Sequence, residues 1–319
     1  MSLVFLVFQQ TMFFSIPLLI VALGGLFTER SGVTNIALDG MMIMGAFTSI
    51  FFINQMQDTM SGQTLLIIAI LISVVTGMVF SLFHAYAAVN LKADQIISGT
   101  ALNMFAPAFA IFIARMIQTN GVQQINFNNT FRIGSVPFLG DIPVLGGLFF
   151  RNAYITTYIG FAILVLSVII LYKTKFGLRL RACGEHPHAA DSVGINVYRM
   201  RYAGVIISGG LAGLGGLVFV VPTSTNFNAT VSGYGFLALA VMIFGQWKPL
   251  RVLFAAFFFG FMKTIASAYS VIPILSTAAI PSDVYKMVPF IATLIVLAFS
   301  SKKSQAPKAV GVPYDKGSR

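Results

Sequence analysis

Charge is what this chain has least of. Only 9% of its 319 residues are Asp, Glu, Lys or Arg, against about 25% in soluble domains. By contrast 57% are hydrophobic, and the mean hydropathy is +0.87. That shortage excludes a soluble globular protein and leaves a polytopic membrane protein. Cysteine is nearly missing as well: the single Cys183 excludes an intramolecular disulfide and any CxxC metal or redox pair. Three histidines, His84, His186 and His188, are too few to build a metal centre by themselves, so no metal site is expected. The sequence holds no HExxH, no G-x-S-x-G elbow and no dense group of Asp, Glu and His, which argues against a membrane-embedded hydrolase. It also lacks any G-x-x-x-x-G-K-[ST], so it has no P-loop with which to bind ATP. No Lys or Arg precedes Arg30. The first apolar run therefore lacks the basic n-region of a cleaved signal and is expected to stay as a membrane helix.

Long apolar runs fill most of the remainder. A spanning helix needs about 20 mostly apolar residues. Candidate spans lie at 5–27, 36–53, 64–90, 96–117, 153–172, 202–221, 233–247, 252–270 and 285–300. The expected fold class is all-α, a polytopic membrane helix bundle of about eight to ten transmembrane helices, one of which is broken or re-entrant if the nine runs are not all full spans. Small residues recur inside the runs. In 208–216, SGGLAGLGG, Gly209 and Gly213 stand at GxxxG spacing with Ala212 and Gly216 beside them. Such spacing lets helix backbones approach closely in lipid, as plain bundle packing or as a close crossing at a permeation axis.

Residues 172–201 break this pattern. They carry Lys173, Lys175, Arg179, Arg181, Arg199 and Arg201 between two apolar runs. Basic segments flanking spans stay on the cytoplasmic side. The tail, with Lys302, Lys303, Lys308, Lys316 and Arg319, belongs there too, and four candidate spans between island and tail return the chain to the same side. Over half of the Lys and Arg lie in these two segments, so topology accounts for the net charge of +11 and no nucleic-acid partner is needed. Segment 118–152 then falls outside. The N-terminus comes out external if all nine runs cross, and a break near 29–39 would reverse that.

Three polar interruptions remain. In 25–47, Glu29, Arg30, Ser31, Asn35 and Asp39 separate two apolar runs, either as a broken helix lining a translocation path or as an interfacial loop with a Glu29–Arg30 surface pair. In 92–105, Asn103 is the deepest polar residue, able to bond a neighbouring helix or a polar solute. In 232–250, Trp247 and Lys248 read as an interfacial anchor, and Tyr234 could stack on a ringed ligand or simply pack. Lys263 is the main ionisable residue in mid-span, where a proton- or sodium-coupled secondary transporter would carry several.

Continued into the next apolar run, the island reads FGLRLRACGEHPHAADSVGINVYRMRYAGVIISGGLAGLGG (176–216). With Ala182, Gly184, Glu185, Ala189 and Ala190 followed by Gly194, Ile195 and Asn196, it resembles the loop of ABC importer permeases in the ribose, nucleoside and branched-chain amino-acid class. ERSGVTNIALDGMMIMGAF (29–47) and DQIISGTALNMF (94–105) are similar to the nucleoside branch, whereas the Gly-Gly-Ile-Asp-Leu-Ser pattern of the ribose branch is missing.

The resemblance implies a permease domain over 1–301, with its coupling loop at about 172–201, and a cytoplasmic basic tail at 302–319. Gly184, Glu185, Pro187, Ala189, Ala190, Gly194 and Ile195 would couple to the ATPase, while Asn35, Asp39 and Asn103 are the candidates for polar cavity lining. There is no catalytic residue and no cofactor in this chain, since ATP and magnesium would sit on a separate ABC ATP-binding subunit. The resemblance further implies a second, different permease chain, an extracytoplasmic solute-binding lipoprotein, and a multi-pass location in the cell membrane. Nucleoside import is the expected function; import of a simple sugar such as ribose, or ion-coupled secondary transport, are the alternatives.

Overall fold

The computed structural model describes residues 2–60, 62–118, 121–128, 130–269, 281–300 and 305–317. The long helices are α1 (Ser2–Arg30), α2 (Leu38–Met56), α3 (Gly62–Val89), α4 (Gln95–Ile117), α5 (Ile155–Lys173), α8 (Val197–Thr223), α10 (Pro249–Ala268) and α11 (Ser282–Ser300). Among the described residues there are three short ones, α6 (Lys175–Glu185), α7 (Pro187–Ser192) and α9 (Tyr234–Phe244). Six of the helices, α1, α3, α4, α5, α8 and α10, are long and apolar enough to cross a membrane. The chain is a multi-pass membrane helix bundle.

Local chemistry sets several boundaries. The Asp94 carboxylate accepts from the amides of Ile96 and Ile97 and starts α4. The Asn196 side chain accepts from the Arg199 amide and starts α8. Pro249 opens α10 at a position where its missing N–H costs nothing. No short-range signal places α1 or α8 in the middle of the bundle; packing does. Residues Leu18 to Leu23 of α1 are fully buried. On α8 the small residues admit neighbouring backbones: a Cβ on Gly213 would stand 2.3 Å from the Ser73 carbonyl oxygen, and one on Gly216 2.0 Å from that of Met42. The small-residue run thus brings α8 against α2 and α3. Outward faces of α3 and α4 show Leu71, Val75, Phe83, Ile97, Met104 and Phe112, as lipid-facing helices do.

The run at 233–247 departs from the expectation of a full helical span. Helix α9 has 11 residues, roughly 16 Å at ~1.5 Å per residue, half the hydrocarbon thickness of about 30 Å. Gly233 precedes it with a left-handed φ of +70, and Gln246 and Trp247 follow with φ of +52 and +53. The crossing is nevertheless completed. Asn226–Phe227 pairs antiparallel with Ile125–Asn126 at one end of the bundle, where the Asn54 side chain of α2 donates to the Asn126 carbonyl. Trp247 and Gln246 reach the other end, beside Glu29 and Gln305. An irregular stretch at 224–233, in which Phe227, Ala229 and Val231 are buried and the residues between them are exposed, plus the short helix does the work of one span. A second small sheet pairs Ile133–Ser135 with Arg151–Ala153 near a π-helical turn at Gly146–Phe150.

Candidate functional site

The island folds into two helices with a corner between them. The Thr174 hydroxyl accepts from the Gly177 amide and caps α6. Helix α6 stops at Glu185 because His186 precedes Pro187, whose ring forces extended backbone on its neighbour. Pro187 then opens α7. That helix ends where Gly194 takes φ +84 and the Ile195 amide bonds back to the Ala190 carbonyl.

This corner rests on the end of α1. Gly184 is buried, and a Cβ there would lie 2.4 Å from the Arg30 carbonyl oxygen. The Arg30 guanidinium stands 3.8 Å from the Glu185 carboxylate and also donates to the Trp247 carbonyl. Glu29 turns the other way and accepts from the Trp247 indole N–H. Trp247 is only 5% exposed, so it ties α1 to the end of α9 and is not an interfacial anchor; Glu29 and Arg30 likewise face separate partners and are no surface pair. Burial pushes the Cys183 thiol up to about 11, against a small opposing pull from Arg201.

The tail lies across the same corner. The Ala309 amide donates to the Gly184 carbonyl at 2.9 Å, and Arg201 donates to the Val312 carbonyl. Tyr314 is buried among His188, Tyr198 and the Arg201 guanidinium, with ring centroids 5.1 and 5.4 Å from the first two. Asp315 pairs with Lys92 at 2.8 Å, and Lys316 stands 3.8 Å from Asp191. Hydrogen bonding to Lys92 first, then to the Gly317 amide, holds the Asp315 carboxyl below its ordinary value, and the same pairing raises Lys92. Island and tail therefore share one end of the bundle. Lys302, Lys303 and Arg319, and the boundary at 301/302, lie outside the described residues.

Of the island residues singled out from sequence, Gly184 and Ala190 are buried supports, Glu185, Pro187 and Ile195 are half-buried, and Ala189 and Gly194 are exposed. His186, His188, Ser192 and Val193 share that exposed face. Val193 is 74% exposed, an apolar knob that sequence reasoning passed over although an isolated Val between Ser192 and Gly194 at a helix end is its signature.

The polar residues at 35–103 form a separate group. The Asn35 side chain donates to the Ser208 hydroxyl and accepts from the Ala37 amide, fully buried. Asn103 accepts from the Gly40 amide at 2.7 Å and donates to the Ile36 carbonyl at 2.8 Å. The Gln95 side chain accepts from the Thr34 amide, and a His84 ring nitrogen lies 2.8 Å from the Thr34 carbonyl oxygen. Together these clamp the turn between α1 and α2. Asp39 accepts from the Gly235 amide at the start of α9, where a carboxylate complements the helix dipole.

Comparison with known proteins matches residues 7–297 to the family described as branched-chain amino acid transport system / permease component. The chain is 44% identical over 315 residues to the guanosine ABC transporter permease protein NupQ of Bacillus subtilis (strain 168), covering 98% of each. It is 41% identical over 312 residues to the nucleoside ABC transporter permease protein NupC of Lactococcus lactis subsp. cremoris (strain MG1363), covering 98% of this chain and 97% of that one. The nucleoside ABC transporter permease protein NupB of the same strain is 28% identical over 323 residues, covering 95% of this chain and 84% of that one. No solved structure matches.

Proposed function

Because the chain belongs to the branched-chain amino acid transport system / permease component family, we propose that it is the membrane permease subunit of an ATP-driven importer of nucleosides. One observation carries the coupling part of this reading. Ala189, Ser192, Val193 and Gly194, on and just after α7, are exposed and stand clear of the bundle, while Gly184 and Glu185 touch the end of α1. A push on that face passes into α1 through the Arg30 contacts and into α8 through Asn196 and Arg201. Both helices run through the centre of the bundle, so a rigid displacement at the corner reaches the rest.

ATP and magnesium bind on a separate ATPase subunit, whose closure delivers the push; the permease itself performs transport and no hydrolysis. Island and tail face the cytoplasm of the cell membrane, in keeping with their excess of Lys and Arg. The partner permease is a different chain. Supporting this, one Lactococcus strain carries two proteins named as nucleoside permeases, and this chain is similar to both, more so to NupC. Solute arrives from an extracytoplasmic binding lipoprotein docked near 118–152 and 222–232.

The test is uptake of radiolabelled adenosine, uridine and ribose in cells with and without the gene, with ATP maintained and the proton gradient either intact or collapsed. Gene-dependent nucleoside uptake that survives loss of the gradient is the expected result. Uptake that vanishes with the gradient, or ribose uptake alone, overturns it.

A further inference from the structure

Lys263 lies in the body of α10, flanked by Phe261, Met262, Thr264 and Ile265. Its ammonium group is 5.7 Å from the centre of the Tyr234 ring and 5.9 Å from that of Phe290. Among the described residues it has no carboxylate and no hydrogen-bond acceptor. An ionisable side chain held this way inside a span marks a solute or ion pathway more often than a packing solution.

The surroundings specify what the ammonium could meet. A cavity of about 220 Å³ lies among Phe14, Phe219, Ser232, Tyr234, Lys263 and Ser267, where α1, α8, α9 and α10 converge. The Tyr234 ring is 1% exposed and, among the described residues, its hydroxyl has no hydrogen-bond partner, a rare condition for a buried polar atom. Its ring centroid is 4.1 Å from that of Phe219, the two inclined at 36°. Tyr234 is also the first residue of α9, the helix that begins part-way through the crossing. Broken helices of this kind surround solute sites near the middle of transporters. The neighbouring acid, Asp39, is already occupied by the Gly235 amide.

Resting on the import reading above, we propose that this cavity is where the solute is held within the permease, the base packing against Phe14 on the cavity wall while its oxygen acceptors meet Lys263 and the Tyr234 hydroxyl. The hydroxyls of Ser232 and Ser267 supply partners for a sugar. The volume falls just below the range of about 300–1,000 Å³ typical of pockets for drug-sized ligands, which suits a solute of one or two rings. A fixed ammonium admits neutral and anionic rings and repels cationic solutes.

The experiment uses the assembled importer in native membranes. Cys183, the single cysteine, is replaced by serine, and Ser267→Cys supplies a reporter thiol in the cavity wall. Uridine and adenosine should slow its reaction with N-ethylmaleimide during turnover, and an unchanged rate overturns the proposal. In parallel, Lys263→Met should lower nucleoside uptake by about tenfold, the scale of a lost charge-assisted hydrogen bond, and Tyr234→Phe by about fivefold, the scale of a neutral one, with Lys263→Arg recovering part of the first loss. Normal uptake in both variants overturns the proposal as well. Tyr234→Phe removes a single oxygen, so it remains informative should Lys263→Met fail to assemble. If the unaltered importer carries ribose and no nucleoside, the functional reading falls, and protection of the same thiol by ribose still decides the cavity.

Discussion

The Ala309 amide donates to the Gly184 carbonyl at 2.9 Å, joining the C-terminal segment to the corner between α6 and α7. Gly184 contacts α1 on its other side, against the Arg30 carbonyl. The corner is thus held between the end of the first helix and the end of the chain. Contacts on both sides fix the corner, which is what the proposed coupling role of the exposed face requires.

Gly184→Val should uncouple the corner from α1. A Cβ has no room 2.4 Å from a backbone oxygen, and overpacking of this kind costs about 1–3 kcal/mol. The expected outcome is loss of nucleoside uptake with a lowered melting temperature of the purified subunit. Gly194→Ala meets no atom within 4 Å and is strained only through its φ of +84, about 1–2 kcal/mol. It should reduce uptake less. Equal effects of the two in transport assays would remove the distinction between support and exposed face.

Tyr314→Ala should release the tail. The ring is 3% exposed and fills the space between His188, Tyr198 and Arg201. Truncating a buried aromatic costs about 3 kcal/mol or more, and the other anchors of the segment named above, single hydrogen bonds and largely exposed ion pairs, are each worth about 1 kcal/mol or less. Limited proteolysis is expected to cut the variant within 305–317 while the helices stay intact. Tyr314→Phe keeps the ring contacts and should be cut no faster than the unaltered chain.

The spans were legible in the sequence because lipid permits little besides long apolar helices, and the island because its charge stands against so apolar a background. The break in the run at 233–247 was not. Its composition is that of a full span, and what ends α9 is the turn at Gln246 and Trp247, fixed by a bond from Trp247 to Glu29, 218 residues away. Glu29 and Arg30 are adjacent and invite pairing on paper, yet helical geometry sends them to Trp247 and Glu185. The tail was read from its charge alone. Its apolar residues, Val312 and Tyr314, were the sign that it docks. Asn35 and Asn103 stand out in the sequence as polar groups beside apolar runs, but only the folded turn at 34–40 shows which backbone groups they hold.

The Lys92–Asp315 pair sets a pH window for tail docking. Asp315 is depressed by Lys92, so its contribution is present above the ordinary carboxylate value near ~3.9 and is lost as pH falls through the lower, folded value. Lys92 is raised, so its contribution is present below about 10.4 and is lost as pH rises through the higher value. A spin label at residue 317 reads this directly: its mobility should rise at the acid end. Asp315→Asn should remove the acid step and leave the label more mobile throughout.

Asn103→Leu separates a clamp from a solute contact. The side chain satisfies the Gly40 amide and the Ile36 carbonyl at once, and leucine of similar size can satisfy neither. Leaving such groups unpaired costs about 1–3 kcal/mol each, so the melting temperature should fall and less protein should reach the membrane. Asn103→Asp keeps an acceptor for Gly40 but sets an oxygen against the Ile36 carbonyl, so it should lose stability as well. The informative quantity is uptake per folded molecule. A clamp predicts that the KM for nucleosides stays fixed in the surviving Asn103→Leu protein while its amount drops. A rise in KM without loss of stability would place Asn103 against the solute instead.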